Sequence, residues 1–177
     1  MIVCRSRAEI EKLRRVNQLV AQVLAELRQL AVPGATTAEI DRVAEERVRA
    51  AGAEPAFKGY HGYPATVCVS ANEQVVHGIP SKRQLVEGDI LSIDMGAKLD
   101  GYCSDGTRTF AVGEPAAEGR AVYDVVLEAQ RAALDAVRAG IGGEALDEIA
   151  RGIIEAAGHG ERFGHGLGHG VGLEVHE

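Results

Sequence analysis

Two aspartates, Asp94 and Asp105, flank a predicted hairpin whose tip is Lys98–Gly101. A turn centred between Leu99 and Asp100 places the two carboxylates directly opposite each other, where cross-strand side chains lie about 4.5–5.5 Å apart. Carboxylates that close repel each other unless positive charge lies between them, so the pair indicates a site for one or two divalent cations. The alternative is a bulged turn, in which the two aspartates point to opposite faces and are solvated.

A second chemical signal is the segment Phe163–Glu177, which contains His165, His169 and His176 among five glycines. Imidazole is a common ligand of divalent transition metals, and glycine lets the backbone approach a metal or substrate closely. The combination favours a functional segment over the alternatives, which are an exposed tail or a set of core histidines.

A third signal is the clustering of Phe57, Tyr60 and Tyr63 in a chain that has only four tyrosines and three phenylalanines. Aromatic side chains at this density suit the wall of an apolar pocket. A corner of the core is the alternative. Tyr60 and Tyr63 belong to the motif Gly59–Pro64, and two further motifs follow at Val67–Glu73 and Val75–Pro80.

Capping and periodicity predict the elements that position these residues. Capping boxes at Ser6 and Thr36 precede apolar residues at helical spacing, which predicts helices over 7–30 and then up to Gly52. Short β-branched runs between glycines predict antiparallel strands at 66–70, 89–94 and 107–112. Helical periodicity returns over 118–139 and 144–157. The order predicts an α+β fold.

An internal repeat relates the two pairs of helices. A shift of 106 residues aligns Gly34 with Gly140, Asp41 with Asp147, and 50–52 with 156–158 without gaps. Duplication predicts two halves of helix, helix and antiparallel strands about a pseudo-twofold, with a site at their junction. The second half is then incomplete, because its closing strands are missing from the 177 residues. The alternative is chance similarity between short amphipathic helices.

Composition limits the class of protein. Hydrophobic residues make up 46% and charged residues 25% of the 177, which is typical of a single globular domain over 1–177. No stretch reaches the roughly 18 apolar residues of a membrane helix. A net charge of −7 disfavours nucleic acid as a partner, and three widely spaced cysteines favour the reducing cytoplasm over a disulfide framework.

Taken together, the motifs resemble the methionine aminopeptidases of the pita-bread metallopeptidase family, which also includes the Xaa-Pro peptidases. The resemblance covers nearly the whole chain. The motifs that carry it, in family order, are Gly59–Pro64, Asn72-Glu73, Val76–Pro80, Gly88–Ile90, Ile93–Gly96 and Gly166–Gly170.

The resemblance implies a pita-bread fold and a site with two divalent metals, for which Co, Mn, Fe and Zn are all compatible. Asp94 is then a bidentate ligand, Asp105 bridges the metals and His169 binds one of them. The family has two further glutamate ligands on strands beyond Glu177. The expectation for the chain as given is therefore an incomplete site, compatible with loss of activity.

The remaining roles also follow from the resemblance. His77 hydrogen-bonds the substrate near the scissile amide, and His176 stabilises the tetrahedral intermediate. Tyr60, Tyr63 and Cys68 line the pocket for the first side chain, which suits an unbranched thioether.

The implied activity is removal of the N-terminal methionine from nascent polypeptides by a cytoplasmic monomer, with the ribosome as a further candidate partner. Segments 101–109 and 171–177 look more like the Xaa-Pro peptidases, which supplies the first alternative. The second alternative is a non-catalytic binding domain that keeps the fold without metals.

Overall fold

The two N-terminal helices begin at the predicted capping boxes. In the computed structural model, which describes residues 4–177, α1 spans Arg7–Leu30 and α2 spans Thr37–Ala50. The Ser6 and Thr36 side chains accept hydrogen bonds from the third residue of each helix, and a glutamate at that position accepts one in return. Both predicted helices are confirmed.

The chain divides into two units. The first unit runs to Pro115 and includes Gly170–Glu177, whereas the second is Ala116–His169. None of the helices in residues 4–177 combines the length and apolar character needed to cross a membrane.

Within residues 4–115 the first unit contains six strands, arranged in two antiparallel sheets. One sheet has the order β2-β3-β6 and the other β1-β4-β5. The strands are β1 (Glu54–Pro55), β2 (Val67–Ala71), β3 (Ile90–Met95), β4 (Ala97–Leu99), β5 (Tyr102–Cys103) and β6 (Gly106–Ala111). The three predicted strands correspond to β2, β3 and β6, each shifted by one residue.

Burial alternates along β3, so the sheet β2-β3-β6 has one core face and one polar face. Leu91, Ile93 and Met95 are fully buried in the main core, whereas Ser92 and Asp94 between them are half-buried. Helix α1 packs against β3, β4, β5 and β6, and α2 packs against β1 and β2. The helices therefore cover the core face and leave the other face for the polar side chains.

The second unit repeats the helical part of the first. It contains α3 (Ala117–Ala136) and α4 (Gly143–Ala156), and adding 106 to the bounds of α2 gives those of α4. The loop glycines match as well, because Gly34 and Gly140 have φ of 89° and 88°. These correspondences confirm the predicted repeat. Between 116 and 169 the structure contains no strand.

The two units differ in how far equivalent residues of their first helices are exposed. Val16 and Val20 on α1 are 0% and 3% exposed. Their counterparts after the shift of 106, Val122 and Val126 on α3, are 37% and 52% exposed. The same apolar stripe is thus covered by strands in one unit and by no strand in the other.

Candidate active site

Asp94 occupies the middle of a row of side chains that crosses the sheet β2-β3-β6. It pairs with Cys68 on β2 and with Thr107 on β6. The Thr107 hydroxyl donates a hydrogen bond to Asp94 Oδ1 at 2.9 Å. The predicted direct opposition of Asp94 and Asp105 is therefore wrong, because the residue opposite Asp94 lies two positions further along the chain.

The cause of this register error is the position of the turn. Leu99 pairs with Tyr102, so the two-residue loop is Asp100-Gly101. These residues have φ of 51° and 84°, and positive φ at both positions is typical of a type I′ hairpin turn. The true turn centre lies one residue beyond the predicted one, which shifts every pair by two positions. A shift of two keeps side chains on the same face.

Burial raises the pKa of the Cys68 thiol above its ordinary value, and the charges of Asp94 and Asp105 both raise it further. Asp105 directly precedes β6 and is half-buried. The pairing of β3 with β6 and of β4 with β5 follows one register around the turn, so the bulged-turn alternative is wrong. Two carboxylates near one buried thiol form a concentrated negative charge that a divalent cation would neutralise.

An apolar cluster adjoins these carboxylates in the first unit. Its buried members come from four separate segments, and two tyrosines pack against them. The buried members are Phe57, Cys68, Cys103 and Val175, and the half-buried ones include Tyr60, Tyr63 and Val171. The predicted aromatic residues therefore pack around Cys68. The sequence did not predict that Cys103, Val171 and Val175 join them.

The residue after His77 is fixed tightly against β2. Gly78 O accepts a hydrogen bond from Val69 N at 2.8 Å, and Gly78 N donates to Ser70 Oγ at 3.1 Å. A Cβ atom at Gly78 would lie 2.3 Å from Val69 O, so only glycine fits. His77 itself is exposed and has a φ of 56°. The strand contact of Gly78 thus limits where the imidazole can lie.

Tyr63 strengthens the same contact. Its hydroxyl lies 3.0 Å from both Val67 O and Gly78 O and donates to one carbonyl at a time. Burial raises the pKa of Tyr63 above its ordinary value, so the hydroxyl stays protonated as a donor. Tyr63 therefore both lines the apolar cluster and connects β2 with the loop that carries His77.

His176 stacks on Tyr60. The ring centroids are 6.1 Å apart, and the rings are inclined by only 11°. The segment that carries His176 is attached to β5, because Cys103 N donates to Gly172 O at 2.7 Å. Tyr60 and His176 are thus brought together from positions that are far apart in sequence.

An ion pair closes the loop around His176. Arg5 Nη2 lies 2.5 Å from both carboxylate oxygens of Glu177. The same carboxylate accepts a hydrogen bond from Leu173 N at 2.8 Å, and Glu177 N donates to Gly170 O at 3.0 Å. The hydrogen bond to Arg5 is the main cause of the lowered pKa of Glu177. Nothing in the local sequence pattern around Arg5 signals this contact.

His169 is the last residue of the second unit and is exposed. Within residues 4–177, no group of three or more histidine, cysteine, aspartate or glutamate side chains is arranged to hold a metal ion. Carboxylate and imidazole ligands nevertheless suit Mn, Fe, Co and Zn. The donor types of Asp94, Asp105 and His169 therefore fit a divalent metal chemically.

Comparison with known proteins agrees with these features. Residues 11–177 match the model of metallopeptidase family M24. The whole chain is 43% identical to the methionine aminopeptidase of Clostridium acetobutylicum and spans 71% of it. The structure of a methionine aminopeptidase from Thermotoga maritima is similar over 100% of this chain and 71% of its own, with 36% identity and a TM-score of 0.92.

A prolidase structure from Pyrococcus furiosus is similar over 98% of this chain and 50% of its own, with 35% identity and a TM-score of 0.90. The chain belongs to metallopeptidase family M24. Methionine aminopeptidases and prolidases thus share this fold, which confirms the predicted pita-bread, α+β class.

Proposed function

We propose that the chain is a metal-dependent aminopeptidase that removes the N-terminal methionine from nascent polypeptides. The observation that carries this proposal is the position of Asp94 and Cys68, which pair across β2 and β3 beside an apolar cluster. A charged site next to an apolar wall can hold a substrate by its amino-terminal end and by its first side chain. The similarity to methionine aminopeptidases over the whole chain favours methionine as that side chain.

Asp94, Asp105 and His169 are the proposed metal ligands, and two divalent ions are the proposed cofactor. Such a group, when bound, lowers the pKa of water and polarises the scissile carbonyl. The Thr107 hydroxyl holds one oxygen of Asp94 through its hydrogen bond. Metal ligands oriented by such partners bind more tightly.

The other residues act on the substrate. His77 is proposed to donate a hydrogen bond near the scissile amide, and His176 to stabilise the tetrahedral intermediate. Tyr60, Tyr63 and Cys68 form the proposed pocket for the methionine side chain, because an unbranched thioether packs well against aromatic rings. Their common location in the apolar cluster supports this assignment.

The setting of the reaction is also a proposal. Cys4, Cys68 and Cys103 are free thiols, which favours the cytoplasm. The proposed substrates are the N-termini of nascent polypeptides, and the proposed place of the reaction is the ribosome. The proposed oligomeric state is a monomer. Both units are proposed to belong to one catalytic domain, and no role for nucleic acid or a membrane is proposed.

The test compares two tripeptides in the presence of Mn²⁺ or Co²⁺. The chain is expected to release methionine from Met-Ala-Ser faster than alanine from Ala-Pro-Ser. Release only from Ala-Pro-Ser would overturn the methionine proposal in favour of an Xaa-Pro peptidase. Calorimetric titration with Mn²⁺ of the parent chain and of D94N gives a readout independent of turnover. Loss of binding in D94N supports the ligand assignment, whereas absence of binding in the parent favours a non-catalytic domain.

A further inference from the structure

We propose that Asp147 and Arg151 on α4 are positioning residues for His169, because they hold the backbone of the glycine-rich segment that leads to it. This inference rests on the proposed function, in which His169 is a metal ligand. Asp147 and Arg151 are one helical turn apart, and Arg151 Nε lies 2.6 Å from Asp147 Oδ2. We call this ion pair with its backbone contacts the α4 clamp.

Arg151 contacts two carbonyl groups of the segment. Its Nη1 donates to Phe163 O and its Nη2 to His165 O, each at 2.8 Å. The guanidinium also lies over the Phe163 ring, 4.5 Å from its centroid. A planar guanidinium can make all of these contacts at once, which a lysine ammonium cannot. Arg151 thus fixes two alternate residues of a segment that has little regular structure.

Asp147 completes the clamp on the next alternate residue. Its Oδ1 accepts a hydrogen bond from Leu167 N at 2.8 Å. The hydrogen bond from Arg151 is the main cause of the lowered pKa of Asp147, so the carboxylate is charged at neutral pH. The last clamped amide therefore lies only two residues before His169.

The apolar contacts of the segment act in the same direction. Phe163 and Leu167 pack against the small core that α3 and α4 form in the second unit. The glycines at 164, 166 and 168 contribute no side chain, and a Cβ at any of them would meet no atom within 4 Å. Without the clamp, such glycines would leave the backbone before His169 with wide conformational freedom.

The internal repeat shows that the arginine is specific to this unit. Asp147 corresponds to Asp41, whose Oδ1 accepts hydrogen bonds from Thr66 N and Val67 N at 2.8 and 3.0 Å. Each unit therefore uses an aspartate at the equivalent position to hold the backbone of a following segment. Arg151 corresponds to Glu45, which instead binds the Lys58 side chain. The guanidinium that holds backbone carbonyls occurs in the unit that carries His169.

The experiment measures Mn²⁺ affinity of the full chain by calorimetry together with hydrogen exchange at the Leu167 amide. Replacing a residue that orients a metal ligand weakens affinity by about 10-fold to 100-fold. We expect R151M and D147A each to weaken Mn²⁺ binding about 10-fold and to accelerate exchange at Leu167. R151K and D147N keep part of the contacts and should lie between these variants and the parent.

Matched controls come from α3, where Arg120 and Asp124 form an exposed ion pair at the same helical spacing. R120M and D124A should leave both Mn²⁺ affinity and Leu167 exchange at parental values. If R151M and D147A fail to fold, the parent alone still tests the proposal. Mn²⁺ should then slow exchange at Leu167, and equal exchange rates with and without Mn²⁺ would overturn the proposal.

The variant H169A separates the two levels of the proposal. Weaker Mn²⁺ binding in H169A with parental affinity in R151M would overturn the clamp and leave the proposed ligands standing. Parental affinity in H169A would overturn both the ligand role of His169 and the clamp. Reduced affinity in H169A, R151M and D147A, with unchanged R120M, is the result that supports the clamp.

Discussion

The Thr107 hydroxyl donates a hydrogen bond to Asp94 Oδ1 at 2.9 Å, and the two residues are directly opposite each other on β6 and β3. The variant T107V removes this donor and nearly preserves the side-chain volume. We expect it to weaken Mn²⁺ binding roughly 10-fold, because an oriented carboxylate binds a metal more tightly. Calorimetry measures the change. T107S keeps the hydroxyl and should bind like the parent. T109V, which removes the hydroxyl contact to Ser92 on the same sheet, is the matched control.

The Tyr60 ring stacks on His176, so it should affect the magnetic environment of the imidazole. We expect Y60A to shift the His176 ring proton resonances, whereas Y60F retains the ring and the resonance positions. Proton–carbon NMR of histidine-labelled chain checks this. Unchanged His176 resonances in Y60A, with the spectrum otherwise that of a folded protein, would contradict the stacked arrangement.

Two glycine substitutions are expected to act in opposite directions. G78A forces a Cβ to within 2.3 Å of Val69 O, and such overpacking should lower the free energy of unfolding by about 1–3 kcal/mol. G152A lies within α4, where a Cβ would meet no atom within 4 Å. It should raise the free energy of unfolding by roughly 0.5–1 kcal/mol, because alanine loses less backbone entropy in a helix. Urea unfolding of the two variants compares them.

The capping carboxylate of Glu9 predicts a pH dependence. Hydrogen bonds from the Ser6 hydroxyl, the Ser6 amide and the Tyr102 hydroxyl lower its pKa from 4.5 to about 2, and Arg5 adds a smaller effect. A lowered folded-state pKa means that the stabilisation is complete above pH 4.5 and is lost as the pH falls toward 2. E9Q should therefore be less stable than the parent at pH 7, and the difference should shrink below pH 4.5.

Urea unfolding of the parent and E9Q at several pH values measures that difference. Y102F removes only one of the three hydrogen bonds and should show a smaller effect of the same sign. A constant difference between parent and E9Q from pH 7 to pH 3 would contradict the assignment.

The helices could be predicted because their signals are local. The capping residues Ser6 and Thr36 and the apolar spacing lie within the helices themselves, so α1 matches its predicted bounds. The strand register could not be fixed in the same way. It depends on which residues of the hairpin adopt positive φ, and Asp100-Gly101 was the correct pair.

The parts of the site that depend on distant contacts were beyond sequence reasoning. Arg5 and Glu177 are 172 positions apart, and no local pattern connects them. Cys103 and Val175 join the apolar cluster through tertiary packing alone. Asp147 is different, because the internal repeat aligns it with Asp41. The sequence did not reveal that both carboxylates accept hydrogen bonds from backbone amides.

The turn at Asp100-Gly101 also decides where this hairpin tolerates lengthening. Side chains alternate between faces along a strand, so one residue added within β4 or β5 would send a carboxylate to the opposite side of the sheet. Residues added between Asp100 and Gly101 lie outside both paired arms. Both residues are exposed, and Asp100 forms an exposed ion pair with Arg15 on α1. The tip is therefore the place to attach a reporter group that must not disturb Asp94 and Asp105.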